Sequence, residues 1–527
     1  MCIINWNITL KKPIIKSKID IRLIIILIIY LILGIILFRY YQYQINNDGI
    51  GYITTAHSYM SGNVYGSISD YWGPLLSWLL IPFLLFGHTP LAALQLTKLL
   101  SIIIGFFTII GIRQLSYRLE MNEVIRSVVL LMFVPLILYF ALSIITPDLL
   151  MVCVFIYYLE IIFNLEYPNK LSNGALCGIF GALAYLSKSY GFTFFIATFL
   201  IFNLFQYFRN SDRYRREKVI KNLVLGFVIF LMISGLWIGL ISIKDQKLTF
   251  GTAGEYNYAL VGPQSQGVPD YIEGIHNPNQ INSNLIPKQW SPFKSWNNFN
   301  YQINLIWNNT LKIGTILTNF SILSLLIILA YIIMCIQPPR KMLSQNVLYY
   351  LVTILILAGS FVVVVVEERY IWLIYVLLIL IGGYLINLLF KIDFFTKEKF
   401  SNVRKTLVLV VFAFLFITMP INYLVQNVNT GEDSYYQSNI LNQYGVHGNV
   451  ASNDNLPNMN YLAYYMNITS FGQPQNNISA SKLRSDLKKY KIDYYFIWDN
   501  SNQSTYMGNY SEITNGKIKN LKVYSLN

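Results

Sequence analysis

Charge is what this chain has least of. Only 12% of its 527 residues are Asp, Glu, Lys or Arg, about half of the roughly 25% usual in a soluble domain. The chain is also 55% hydrophobic, much of it in long runs. This excludes an ordinary soluble enzyme and implies a polytopic membrane protein. Cysteine is scarce too. Cys2, Cys153, Cys177 and Cys335 lie in or beside apolar runs without CxxC spacing. They read as small buried apolar residues, not a disulfide framework or a metal site. The chain also lacks a phosphate-binding Gly-rich loop, an HExxH pair and a nucleophile elbow, which argues against a nucleotide-driven pump and a membrane zinc protease.

What charge there is has a pattern. The formal net charge is +14, but the basic residues sit in short loops between apolar runs, as in an inner-membrane protein, so no nucleic-acid partner is expected. The first apolar run, from about Ile21, is too long for a signal-peptide core and carries no small-residue cleavage site, so it reads as a retained helix. A span needs about 20 apolar residues, which gives about eleven spans. They fall near 21–40, 97–117, 126–145, 148–165, 174–188, 190–208, 219–243, 314–336, 345–366, 370–390 and 405–424.

Lys and Arg in short loops orient the chain. Lys11, Lys12, Lys16, Lys18 and Arg22 place the N-terminus in the cytoplasm, and Arg209, Arg213, Arg215, Arg216 and Lys218 mark another inner loop. Arg340-Lys341 and the Lys391–Lys405 segment mark two more. All four agree only if the apolar run Leu75–Phe86, opened by Gly73-Pro74 and closed by Gly87, is re-entrant or interfacial. Asp48, Pro147-Asp148, Ser187-Lys188-Ser189 and Glu367-Glu368-Arg369 then share the outer face. The segment 41–96 becomes a first outer loop with juxtamembrane helices. The long loop 244–313, with Glu255, Tyr256, Tyr258, Asp270, Glu273, His276, Trp290 and Trp296, is also outside. It reads equally as a functional lid or as an aromatic interfacial belt.

The domain division is a membrane part over 1–424 and a polar segment over 425–527, large enough for a small extracytoplasmic α/β domain. Ser481–Tyr490 has a helical pattern with Leu483 and Leu487 on one face, and Ile492–Trp498 and Ile518–Tyr524 read as strands.

Four charged residues are candidates for chemistry. Asp48 could cap a helix, yet Tyr52 lies four residues on and would share its face, and His57 and Trp72-Gly73-Pro74 follow. Asp148 follows Thr146-Pro147 at a span start, which is either a normal helix-start signal or an acid facing a cavity. Lys188 lies in a tight turn between two apolar helices, where it either snorkels or binds a phosphate. Arg369 lies at a helix mouth, and its guanidinium suits bidentate phosphate binding unless Glu367 and Glu368 neutralise it.

In order and sidedness these residues resemble the GT-C class of integral-membrane glycosyltransferases, most of all the branch with protein O-mannosyltransferases and the aminoarabinose transferases of lipid A. The family pattern Asp-Glu-x-x-Tyr, Pro-Pro-Leu and Phe-Gly is met by Asp48-Gly49-Ile50-Gly51-Tyr52, Gly73-Pro74-Leu75 and Phe86-Gly87, with Gly49 for Glu and Gly73 for the first Pro. Thr146-Pro147-Asp148 resembles the second outer-loop acid. Leu186-Ser187-Lys188 resembles the Leu-x-Lys-Gly turn with Ser189 for Gly, and Arg369-Tyr370 resembles the late Arg-Tyr.

The resemblance covers most of 20–390. It implies a cell-membrane enzyme that moves one sugar from a polyprenyl- or dolichyl-phosphate donor to a protein, lipid or glycan acceptor on the outer face. Asp48 and Asp148 are then the catalytic acids: Asp48 is the base, and Asp148 positions the acceptor or a cation. Lys188 and Arg369 bind the donor phosphate, and Tyr52 and His57 bind substrate. No metal ligand set is read, and a divalent cation is the one cofactor left open. A transporter of lipid-linked sugars or polymers is the alternative, but the charged candidates sit at span ends and no internal repeat is visible, both of which argue against it. A non-catalytic homologue is another, supported only by the missing Glu at Gly49.

Overall fold

The structure, a computed structural model, describes residues 20–210, 212–265, 274–277, 288–336, 347–396, 400–475, 477–499 and 502–526. Lys11, Lys12, Lys16 and Lys18, the pair Arg340-Lys341, and Asp270 and Glu273 lie outside them.

The apolar runs form a helical bundle. Among the described residues, seven helices are long and apolar enough to cross a membrane: Ile21–Tyr41, Pro90–Ser116, Glu123–Ser143, Tyr190–Arg209, Arg213–Asp245, Glu368–Leu389 and Ser401–Gln426. The pair Trp296–Phe320 and Leu323–Ile336 makes an eighth if it is one span, bent by 110°. That bend falls inside the expected 314–336 run, where Ser321 takes an extended conformation that ends the first helix. Three other expected spans coincide with Asp148–Ile162, Leu171–Ser187 and Val347–Val362, of 15, 17 and 16 residues. At 1.5 Å per residue they reach about 22–26 Å, short of a 30 Å hydrocarbon core. Leu75–Leu84 has 10 residues and is far shorter.

Helix starts follow local chemistry. Thr89 accepts a hydrogen bond from the Ala92 amide at 3.1 Å with Pro90 in the first turn, and Asn122 accepts one from the Ile125 amide at 2.9 Å. The Glu368–Leu389 segment sits at the centre of the bundle, with 89% of its apolar window buried, whereas Ile21–Tyr41 is 22% buried and lies at the periphery.

Beyond Gln426 the chain forms a small α/β unit. Its five strands are β1 (Asn449–Ser452), β2 (Thr469–Ser470), β3 (Tyr494–Trp498), β4 (Ser511–Glu512) and β5 (Leu521–Ser525), in the order β2-β1-β3-β5-β4. β1 is parallel to β2 and β3, and β5 is antiparallel to β3 and β4. The helix Ala480–Lys489 packs Leu483 and Leu487 on one side of the sheet, while Leu441, Met459 and Leu462 pack on the other. The expected helix and both expected strands appear within three residues of the sequence reading, because the alternation and the two-leucine face are local signals.

The unit is fastened to one end of the bundle by tyrosines and asparagines. Tyr464 donates to the Pro90 carbonyl at 2.7 Å and Tyr465 to the Tyr43 carbonyl at 2.6 Å. Tyr43 stacks on Tyr435 at 5.2 Å, and Asn460 donates to Asn47 at 3.0 Å. The long loop docks here as well. Its Gly274 and His276 amides donate to the Gln473 and Phe471 carbonyls at 2.5 and 3.1 Å, and Thr252 donates to the Asp70 carbonyl at 2.9 Å. Tyr258 stacks on Trp290 at 4.7 Å and Tyr256 meets Tyr71 edge-on at 5.5 Å, whereas Trp296 stands exposed. Its described aromatics therefore pack partly inward on the first loop and do not form a uniform surface belt.

Candidate active site

Four segments remote in sequence converge at the end of the bundle that carries the α/β unit. The first is the helix Asn47–Met60. Its N-cap is Asn46, so Asp48 stands in the first turn and is not the cap. Asn46 is used elsewhere. Its amide donates to the Ile145 carbonyl at 3.1 Å and its carbonyl oxygen accepts from the Ile145 amide at 2.9 Å, clamping the first loop onto the loop before Asp148. The approach is close enough that a Cβ on Gly49 would lie 2.9 Å from the Ile145 Cβ. A side chain at position 49 would thus crowd Ile145, and glycine suits this close packing. Gly73 is the same case, since a Cβ there would lie 2.3 Å from the Ser187 carbonyl oxygen, beside the Lys188 turn.

These clamps bring the charges together. Arg369, from the 3-10 turn Glu368–Ile371, donates through Nη1 to Asp48 and holds its Nε 3.9 Å from Asp148 Oδ2. Lys188 Nζ donates to Asp148 Oδ1 at 2.6 Å and lies 3.9 Å from the centre of the Tyr370 ring. Thr146 donates its hydroxyl to Asp148 and accepts from the Asp148 amide at 3.0 Å. The result is a neutral cluster of two carboxylates and two cations. Asp148 is closed off, with 1% of its side chain exposed, whereas Lys188, Arg369 and Asp48 are 23%, 21% and 27% exposed. Leaving the enclosed Asp148 unpaired would cost about 3–5 kcal/mol.

Tyr52 is buried one turn after Asp48 and meets Trp72 edge-on at 5.0 Å. Burial, with the Asp48 and Asp148 carboxylates nearby, raises its phenol well above the ordinary tyrosine value. Burial also pulls the Lys188 ammonium below the ordinary lysine value, and Asp148 pushes back without restoring it. His57 does not join the cluster. It lies nine residues after Asp48, about half a turn round the helix, and is exposed on the other face.

The sequence reading left the partner of Glu368 open and did not single out Lys98 or Asn46. Glu368 accepts from the Tyr139 hydroxyl at 2.7 Å and so points away from Arg369's carboxylate partners, leaving the guanidinium to the two aspartates. Lys98, fully buried in the helix Pro90–Ser116, donates to the Leu142 carbonyl at 2.8 Å, satisfying a helix end just before the Asp148 loop. A lone lysine inside an apolar run was the available signal for Lys98. Nothing local marked Asn46. Among the described residues no group of three or more His, Cys, Asp or Glu side chains is arranged to hold a metal ion.

No protein-family profile matches the chain, and no curated protein matches it. Solved structures do. ArnT from Cupriavidus metallidurans bound to undecaprenyl phosphate superposes with a TM-score of 0.55 at 12% identity, over 94% of this chain and 97% of that one. The apo state of the same protein gives 0.53 at 12% identity over the same shares. The chain resembles ArnT in fold over nearly the whole length of both, and its long apolar helices make it a multi-pass membrane protein.

Proposed function

We propose that this protein is a membrane glycosyltransferase that moves a single sugar from a polyprenyl-phosphate donor to an acceptor hydroxyl or amine. One observation carries the reading: Asp48, Asp148, Lys188 and Arg369, from four separate segments, form one ionic cluster with three of its members partly open. The crystal structure of the similarly folded ArnT holds undecaprenyl phosphate, which supports the donor class. The cluster suits the chemistry. Lys188 and Arg369 take the donor phosphate, and Arg369 exchanges its bond to Asp48 for a phosphate oxygen. The freed Asp48 carboxylate accepts the proton of the acceptor group as it attacks the anomeric carbon. The bond from that carbon to the phosphate oxygen breaks, and the electron pair leaves on the lipid phosphate, stabilised by the two cations. Asp148 is too enclosed to meet substrate. It holds Lys188 and Arg369 in place and is a positioning residue.

The outer face is the proposed location of the cluster and of the α/β unit. Cysteines placed at exposed Ser481 and Glu217 test this with a membrane-impermeant reagent in intact cells. Ser481→Cys should label and Glu217→Cys should not; the reverse pattern would invert the protein. Incubation of purified protein with a radiolabelled polyprenyl-phosphate sugar and host membranes tests the activity. Label moved covalently to an acceptor supports the transferase, and flipping of intact donor without transfer would assign the chain to transport.

A further inference from the structure

The other face of the Asn47–Met60 helix opens onto a cavity of about 740 Å³, within the 300–1,000 Å³ common for ligand sites. Four parts of the chain wall it: this helix, the Gly87–Pro90 turn, the 276–277 segment of the long loop, and the α/β unit from Leu456 to Gly472. It is thus an inter-domain cleft, a common setting for binding sites. Its lining chemistry is unusual for this chain. Three of the four histidines, His57, His88 and His276, line it, together with Thr54, Asn460 and Asn467. No Asp, Glu, Lys or Arg lines it among the described residues, in a chain that carries 39 Lys and Arg and 25 Asp and Glu.

Side-chain amides and hydroxyls each offer both donors and acceptors, and imidazole rings add further polar nitrogens. Sugar hydroxyls likewise both donate and accept. The side chain of Tyr464, its hydroxyl already spent on the Pro90 carbonyl at 2.7 Å, adds an aromatic surface for the apolar side of a sugar ring. Among the described residues a phosphorylated or acidic ligand would meet no lysine or arginine there, and burying its charge without such a partner is costly. Position also matters. Asn47 and Ile50, on either side of Asp48, both line the cavity, so the cavity and the ionic cluster share the first turn of one helix.

We infer that this cavity binds an uncharged, hydroxyl-rich glycan as the acceptor of the proposed transfer, an inference that rests on the transferase reading for the word acceptor. The donor phosphate then meets the charged face of the helix and the neutral glycan meets the uncharged one.

The test uses full-length protein in lipid nanodiscs. Oligosaccharides released from the host envelope are tritiated and split by anion exchange into neutral and acidic pools. Binding of each pool is measured, and binding of undecaprenyl phosphate is measured separately on the same samples. The neutral pool should bind saturably and the acidic pool should not. Thr54→Trp, which fills the cavity, and Asn460→Ala should each weaken neutral-pool binding at least tenfold with undecaprenyl-phosphate binding kept. If Thr54→Trp loses both ligands, Thr54→Val, which removes only the hydroxyl, must still weaken the neutral pool alone. Preference for the acidic pool, no binding of the neutral pool, or variants that bind it as the wild type does would overturn the inference. If the neutral pool binds and undecaprenyl phosphate does not, the donor reading falls while the cavity's assignment as a glycan site stands.

Discussion

The two faces of the 14-residue helix Asn47–Met60 meet very different surroundings. One face carries Asp48 and Tyr52 into a packed cluster where every charge has a partner. The other carries Asn47, Thr54 and His57 into an open cavity that no Asp, Glu, Lys or Arg lines among the described residues. The difference teaches that one short helix separates an ion-paired face, suited to a phosphate, from a face whose described lining holds no Asp, Glu, Lys or Arg. A residue's role follows from its face and not from its distance along the chain: His57 is near Asp48 in sequence and separate from it in space.

The largest expected effect comes from the charged face. Asp48→Asn keeps the shape and removes the base, so transfer should fall by at least about a hundredfold while undecaprenyl phosphate still binds. Because Asn46 holds the cap position, no capping loss accompanies the change. Near-normal turnover in a radiolabel assay would place the base elsewhere and dissolve the contrast between the faces.

Next comes the phosphate fork. Arg369→Lys should weaken donor binding by about ten- to a hundredfold, the worth of a charge-assisted hydrogen bond, as read by titration with undecaprenyl phosphate. Lys188→Ala is a poorer probe of binding. It strips the buried Asp148 of its nearest cation, at about 3–5 kcal/mol, and should show first as a fall in Tm.

A smaller effect tests the clamp between the faces. Gly→Ala in a helix ordinarily stabilises by about 0.8–1 kcal/mol. At Gly49 the new methyl would meet Ile145 at 2.9 Å, and overpacking of that kind costs about 1–3 kcal/mol. Gly49→Ala should therefore lower Tm and transfer together, and a rise in Tm would show that the loops are not held as closely as this geometry requires.

The smallest effect is one of pH. Phosphate binding needs the charged ammonium of Lys188, whose pKa is lowered by burial. The charged fraction falls as pH rises through that lowered value. Donor affinity should therefore decline on the alkaline side at a lower pH than an ordinary lysine would give. Lys188→Arg should flatten the decline, since a guanidinium stays charged. A wild-type profile with no alkaline decline would remove Lys188 from the phosphate.

Much of this was legible in advance. The apolar runs located the long helices, and Asp48, Asp148, Lys188 and Arg369 were nameable because a charge at the end of an apolar run stands out. Less legible was anything decided by contact between remote segments. The enclosure of Asp148, the pairing of Asn46 with Ile145 and the diversion of Glu368 to Tyr139 leave no periodic trace. The break at Ser321 inside an apolar run was hidden for the same reason, since hydropathy sums over a bend.

By itself the sequence determined that the chain enters a membrane, because about 20 consecutive apolar residues have no better place to go. It also determined that a small α/β unit follows, because alternation and a two-leucine helix face are written residue by residue. Only the tertiary structure decided which charges meet and which face of the Asn47–Met60 helix each substituent occupies. Two glycines let the first loop lie against the Ile145 side chain and the Ser187 carbonyl, and an ion pair 321 residues apart in sequence, Asp48 with Arg369, exists only once those segments have met.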